Sequence, residues 1–480
     1  MISMRQRMSS IDTAWLRMER RTNPMVIVSV IVLGERCTLA DLRGLVAERF
    51  LQHARFRAVP VDEGIGGTWV DDPYFELEAH VGEVRPAGPS QADLEALVGE
   101  LASSALDPRR PLWRFDLVPE YGHGSAVVLR IHHCYADGIA LVKMFLGLTT
   151  RTPEDTARPG APTLEDVHAE DDALLPWLRS LVGPATAFLG QALRDGEFLV
   201  ETGLHGLLHP LEALGSAQKA AGVAGGVAGE FAALLRLPDD PRSPLRGTLG
   251  TRKQVAWAPP VALAEVRTVA RALGCTINDV VMSIVAGTLG RYLRSLGHDT
   301  TDLTVRAAVP VNLRPPDEPP CLGNRFGLAF LDLPIGMQHP LERLYAVRRY
   351  MRELKGSQQP AAAFVVLSAL GYLPAPVQGL AVDTLSRKAS AVVSNVPGPR
   401  ERLYLCGRPI DEMYFWVPQS GSIGLGISVL TYVDEVLFGV VADRTLLPEP
   451  HRIVDGFAAE FERLLLLTLL GAAHCERTDA

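Results

Sequence analysis

LRIHHCYADGIALVKMFLGL, residues 129–148, is the stretch of this 480-residue chain that decides its fold. The run just before the histidines, SAVVLRI at 125–131, is apolar and β-branched enough for a buried strand. From Gly138 onward the apolar spacing becomes helical, with Ile139, Val142, Phe145 and Leu146 on one stripe. His132 and His133 therefore stand where a strand ends and the chain turns, and such a loop on a rigid scaffold is a common seat for a reacting group. Imidazole, with an unperturbed pKa of roughly 6.5, can take the proton of an alcohol as its oxygen attacks a carbonyl. A base of this kind contributes about 10²–10⁴-fold in rate. Asp137 could fix the loop or the imidazole, and Gly138 permits a tight turn. Read from these residues alone, two ordinary polar side chains on an Asp-Gly turn account for the pattern as well. No metal is expected, because no Cys, Asp or Glu at zinc spacing completes a ligand set.

Composition narrows the classes. With 47% hydrophobic and 21% charged residues the chain is long enough for a large core and two or three domains. A net charge of -8 and a pI near 5.9 argue against nucleic acid as a partner. The six cysteines (Cys37, Cys134, Cys275, Cys321, Cys406 and Cys475) form no spaced framework, which fits a reducing cytoplasm. The charged opening is unlike a secretory signal. Residues 357–382 lack charge but are interrupted by prolines and glutamines, so they read as a buried helix plus loop rather than a span.

His132-His133-Cys-Tyr-Ala-Asp137-Gly138 resembles the HHxxxDG motif of the chloramphenicol-acetyltransferase-like superfamily, which includes peptide-synthetase condensation domains and bacterial wax ester synthase/diacylglycerol acyltransferases. Other segments favour the second branch. Residues 8–19, MSSIDTAWLRME, form an amphipathic opening with Ile11, Trp15 and Met18 on one side; they resemble that family's Ser-Pro-x-Asp start, with Ser10 in place of the Pro. Pro111-Leu112-Trp113 precedes the motif strand, with Trp113 read as a large structural anchor. Thr276-Ile-Asn278-Asp279 matches the family's Asn-Asp element and is also a capping box. Gly323-Asn324 matches as well. Ser394-Asn395-Val-Pro-Gly-Pro resembles the Ser-Asn-x-x-Gly-Pro element and reads as a strand running into an irregular loop. One departure is Asp434, where the family usually carries Gly.

Between these markers, Thr38-x-x-Asp41 is another capping box, residues 69–81 look strand-like, and 90–104 look helical. His80 reads as structural. Residues 150–172 are polar and Pro-rich, and 174–237 are rich in Ala, Gly and Leu. The latter reads either as a crossover helix packed on both domains or as an apolar face resting on a bilayer or lipid droplet.

The resemblance implies an α/β fold: two chloramphenicol-acetyltransferase-like domains with mixed sheets and flanking helices, joined by a helical linker. The expected limits are 1–149, 150–244 and 245–480, with the active site in a channel between the domains. It further implies transfer of a fatty acyl group from acyl-coenzyme A, a substrate rather than a cofactor, to a long-chain alcohol or diacylglycerol. His133 is the expected base, His132 shapes the site, Asp137 holds the loop, and Asn278 stabilises the oxyanion, a role whose loss typically costs about 10²–10³ in rate. Gly138, Asp279, Ser394 and Asn395 are expected to bind substrate, with Arg314 paired to Asp137 as a structural element. Cys134 occupies a variable slot and is not expected to be a nucleophile. The expected setting is cytoplasmic, peripheral to the inner membrane or lipid droplets. Two alternatives stay open: a condensation-type or polyketide-associated acyltransferase fed by a carrier-protein thioester, and a non-catalytic lipid-surface protein.

Overall fold

Among the described residues two mixed sheets, each with its own hydrophobic core, carry the chain, beside a small antiparallel sheet of three strands. The computed structural model describes residues 5–64, 66–153, 236–314, 322–355, 357, 359–371 and 375–478. The linker reading of 150–244 thus lies mostly outside the described residues, its apolar part all but the last two. What is described of its end docks on the second half: Asp240 is buried, and its carboxylate accepts from Arg306 N at 3.0 Å and from Ser390 Oγ at 2.5 Å.

In the first sheet Val26–Leu33 lies beside the motif strand Gly124–His132, antiparallel, with Val26 opposite His132 and Leu33 opposite Ser125. Trp113–Tyr121 flanks the motif strand on the other side, and Val81–Glu83 closes that edge in parallel. Every residue of the motif strand is buried, as its near-continuous apolar run requires. Its one charge, Arg130, is neutralised by Asp116 at 3.0 Å. The other edge is a correction to a chain-contiguous division: Arg408–Trp416, from the second half, pairs with Val26–Leu33, and Tyr404–Leu405 extends it. The limits read at 149 and 244 therefore do not partition the sheets.

The second sheet runs Phe326–Leu333, Val305–Asn312, Ala391–Pro397, Leu425–Tyr432, Glu435–Asp443, Lys253–Trp257. Its inner pairings are parallel and its outer ones antiparallel. Ile277–Ser295 is buried almost all round beneath it, with Pro340–Lys355 and His451–Thr478 alongside. A buried ion pair, Arg343 to Glu460 at 2.6 Å, ties the last two together. Among the described residues no single helix is long and apolar enough to cross a membrane.

Local signals act as their chemistry dictates. Thr38 and Thr276 each accept from the backbone N–H three residues on, while Asp41 and Asp279 reach back to the cap. The strand read over 69–81 is shorter: Gly67–Asp71 pairs with Ala58–Asp62, then Asp72-Pro73 breaks the ladder and Leu77–His80 makes a helical turn. Ser394 and Asn395 lie within strand Ala391–Pro397 rather than in the loop after it, because parallel pairing to Leu425–Tyr432 carries the strand through Pro397.

The first helix, Ser10–Met18, is wedged against the second half. Gln378 Nε2 donates to Ala14 O at 2.7 Å, and Arg17 donates to Gly371 O at 3.2 Å. Gly371 permits that approach, since a Cβ there would stand 1.8 Å from Ser10 O.

Candidate active site

His132 ends the motif strand, and the next five residues turn into the helix Gly138–Leu148. The loop is fixed from both halves. Asp137 caps the helix, its Oδ1 accepting from Ala140 N at 2.9 Å. Its Oδ2 accepts from Arg314 Nη1 at 2.5 Å and from Arg325 N at 2.7 Å. Arg314 also donates to Gly323 O at 2.6 Å, and Gly323 O accepts from Asp137 N. Asp137 and Arg314 are both buried, as their pairing requires.

The two histidines have opposite surroundings. His132 Nδ1 accepts from Cys134 N at 3.1 Å, so its proton sits on Nε2, 3.3 Å from the Glu19 carboxylate. That leaves no free basic nitrogen on His132. His133 is reversed. Its Nδ1 lies 2.9 Å from Asn324 Oδ1, an acceptor, which makes Nδ1 the protonated atom and Nε2 the basic one. Trp15 stacks on the His133 ring at 3.9 Å with 14° between planes, and Phe326 stands 5.5 Å away on a tilt. Burial pushes the His133 pKa down to about 4, outweighing the nearby Asp137 charge, so the ring is neutral at pH 7.

His133 opens on a cavity of about 140 Å³ between the halves. Trp15 and Met18 come from the first helix; Asp137 and Gly138 from the motif; Phe326, Leu328 and Phe330 from the second sheet. Ser394 and Asn395 line it too. A second apolar cavity, of about 90 Å³, lies between the motif helix and the first sheet, walled by Val142, Phe145, Leu129 and Phe415. Gly138 borders both. Val142 and Phe145, read as one stripe with Ile139 and Leu146, thus wall a cavity while Leu146 packs into the core.

The remaining expected residues divide. Asn278 is buried on the first turn of Ile277–Ser295, one side chain behind the cavity wall, and its Oδ1 accepts from Asn395 Nδ2 at 2.6 Å. Asp279 spends its carboxylate on the cap, accepting from Thr276 N at 2.9 Å, and does not line the cavity. Trp113 is an anchor: its indole donates to Phe56 O at 2.7 Å and stacks on His80. The preceding Leu112 ties that element to the motif, its O accepting from His132 N and its N donating to Tyr135 Oη at 3.0 Å. Cys134 is fully buried, and burial pushes its thiol well up, the reverse of what a nucleophile needs. Among the described residues no cluster of His, Cys, Asp or Glu could hold a metal.

Sequence reading missed the second tier around His133. Asn324 and Asp12 were each noted only as parts of segments, and nothing local links positions 12, 133 and 324. Asn324 Nδ2 donates to Asp12 Oδ1 and to His133 O, both at 2.8 Å.

Known proteins share the fold and much of the sequence. Residues 8–281 match the wax ester synthase/diacylglycerol acyltransferase catalytic domain, and residues 322–465 match the WS/DGAT C-terminal domain. A putative diacylglycerol O-acyltransferase of Mycobacterium tuberculosis is 31% identical over 86% of this chain and 85% of its own length. A probable diacylglycerol O-acyltransferase of the same species is 27% identical over 88% and 85%. Among solved structures, the wax ester synthase/diacylglycerol acyltransferase from Marinobacter aquaeolei VT8 superposes with a TM-score of 0.65 at 20% identity, covering 96% of this chain and all of its own. The trichothecene 15-O-acetyltransferase from Fusarium sporotrichioides shares the fold, with a TM-score of 0.57 at 12% identity over 96% and 95%. The chain belongs to the wax ester synthase/diacylglycerol acyltransferase family.

Proposed function

We propose that this enzyme transfers a fatty acyl group from acyl-coenzyme A to the hydroxyl of a long-chain alcohol or diacylglycerol, with His133 as general base. The observation that carries the reading is a neutral imidazole with Nε2 as its basic nitrogen on the wall of an apolar cavity. Nε2 takes the hydroxyl proton as the oxygen attacks the thioester carbonyl, and returns it to the departing thiolate. The oxyanion role expected of Asn278 passes to Asn395, which lines the cavity and is held by Asn278 through one amide hydrogen while the other donates to the developing oxyanion. Asp137 holds the loop. The chain works in the cytoplasm at a membrane or lipid-droplet surface. In support of that setting, helix Ala375–Ser386 exposes Val377 and Leu380 while its Val382 and Leu385 line the cavity.

The test is an ester assay offering palmitoyl-coenzyme A with hexadecanol and diacylglycerol, products separated by thin-layer chromatography. His133→Ala is expected to lower turnover by about 10²–10⁴-fold. A folded variant with near-normal turnover defeats the base assignment. Product with an acyl-carrier protein but not with acyl-coenzyme A turns the donor reading to the condensation type. Liposome binding with no ester product means a non-catalytic lipid-surface protein.

A further inference from the structure

His133 is a useful base only in one of its two neutral tautomers, the one with Nε2 unprotonated. Its own backbone and its surroundings together select that form. Asn324 presents Oδ1 to Nδ1 at 2.9 Å. The amide cannot be turned round: its Nδ2 donates to His133 O, which only accepts, and to Asp12 Oδ1, which already accepts from Asn324 N. Exchanging the amide atoms would set oxygen against oxygen at 2.8 Å in both directions. Asp12 is in turn held. It is buried, its Oδ2 lies 3.8 Å from Arg55 Nη1, and its Oδ1 also accepts from Asn324 N at 3.2 Å. Trp15, one helical turn after Asp12, clamps the face of the ring.

We propose that Asn324 and Asp12 are positioning residues for the acyl transfer, Asn324 fixing the tautomer and rotation of His133 and Asp12 fixing the orientation of Asn324. The first helix is therefore part of the catalytic assembly. Neither residue touches the reacting atoms. Each acts through the ring, so its loss lowers kcat and leaves KM for the acyl donor nearly unchanged. The inference rests on His133 as the base, and the two fail separately: full turnover by His133→Ala removes that role, whereas a dead His133→Ala beside a fully active Asn324→Ala removes only this proposal.

The experiment compares four chains in the ester assay. Asn324→Ala is expected to lose about ten-fold or more in kcat, part of the contribution of a positioned base. Asp12→Ala should lose kcat too, because Asn324 N and Nδ2 lose their acceptor, whereas Asp12→Asn keeps an oxygen there and should retain much of it. Long-range proton–nitrogen NMR of the histidine-labelled protein reads the tautomer directly, and His133 should lose its single Nδ1–H form in Asn324→Ala. The proposal is overturned by kcat for folded Asn324→Ala within two-fold of the unaltered enzyme, or by an unchanged tautomer. A folded Asp12→Ala with unaltered kcat, or Asp12→Asn no better than Asp12→Ala, overturns it as well. If Asn324→Ala does not fold, Asp12→Ala beside Asp12→Asn decides through kcat and tautomer.

Discussion

Replacing Arg314 with Met isolates what joins the motif loop to the second half. Arg314 and Asp137 are buried to the same degree, their side chains 3% exposed, and they meet at 2.5 Å. Removing the guanidinium leaves a buried carboxylate with two backbone donors, Ala140 N and Arg325 N, and takes away its ion-pair partner. Breaking a buried pair from one side costs about 3–5 kcal/mol. Unfolding entropy of about 2.1 cal/mol/K per residue gives roughly 1 kcal/mol/K for a chain of this length, so Tm should fall by about 3–5 °C. Turnover should fall as well, because the loop that carries His133 loses its strongest tie. Adding Asp137→Asn removes the orphaned charge. Asparagine still caps a helix, but a single amide oxygen cannot serve both Ala140 N and Arg325 N, so recovery should be partial. Differential scanning calorimetry with the ester assay measures both effects. A Tm within 1 °C of the unaltered protein at normal kcat, or a double variant no better than Arg314→Met, refutes the reasoning.

Two further predictions concern protons and space. The His133 pKa is depressed from 6.5 to about 4, so the unfolded chain binds the extra proton first as pH falls. Stability should therefore drop between about pH 6.5 and 4, by on the order of 3 kcal/mol from this group; denaturation of His133→Gln should show a shallower decline, and an equal one refutes the assignment. A Cβ at Gly138 meets no atom within 4 Å, and the residue borders both cavities. Gly138→Val should therefore fold normally, yet lower kcat/KM for palmitoyl-coenzyme A by roughly ten-fold, with a smaller effect on butyryl-coenzyme A; equal effects on both donors would count against a chain passing this point.

What the sequence made legible was local chemistry. The Thr38 and Thr276 boxes, the motif strand and the turn into the motif helix follow from spacing over a few residues, and the structure contains each. The Asp137–Arg314 pair spans 177 positions and was named only through resemblance. The roles around His133 were not readable, because a tautomer depends on which atom faces Nδ1, and that atom comes from Asn324. Asn278 was placed at a helix start by its pattern, but whether it or Asn395 reaches the cavity depends on how strand Ala391–Pro397 lies across that helix. Residues 404–416 were assigned with their chain neighbours because edge strands carry no mark of which sheet they will join.

That exchanged strand has a consequence for how the protein is made. Val26–Leu33, an eight-residue run of aliphatic side chains broken only by Ser29, offers a bare ladder edge until Arg408–Trp416 arrives. At a ribosome adding about 5–20 residues per second, the wait is on the order of 20–80 s. For that interval the nascent chain displays a sticky ribbon suited to pairing with its own copies. Overproduction from strong promoters should thus favour inclusion bodies, and slowed synthesis or abundant holdase chaperones should raise the soluble yield.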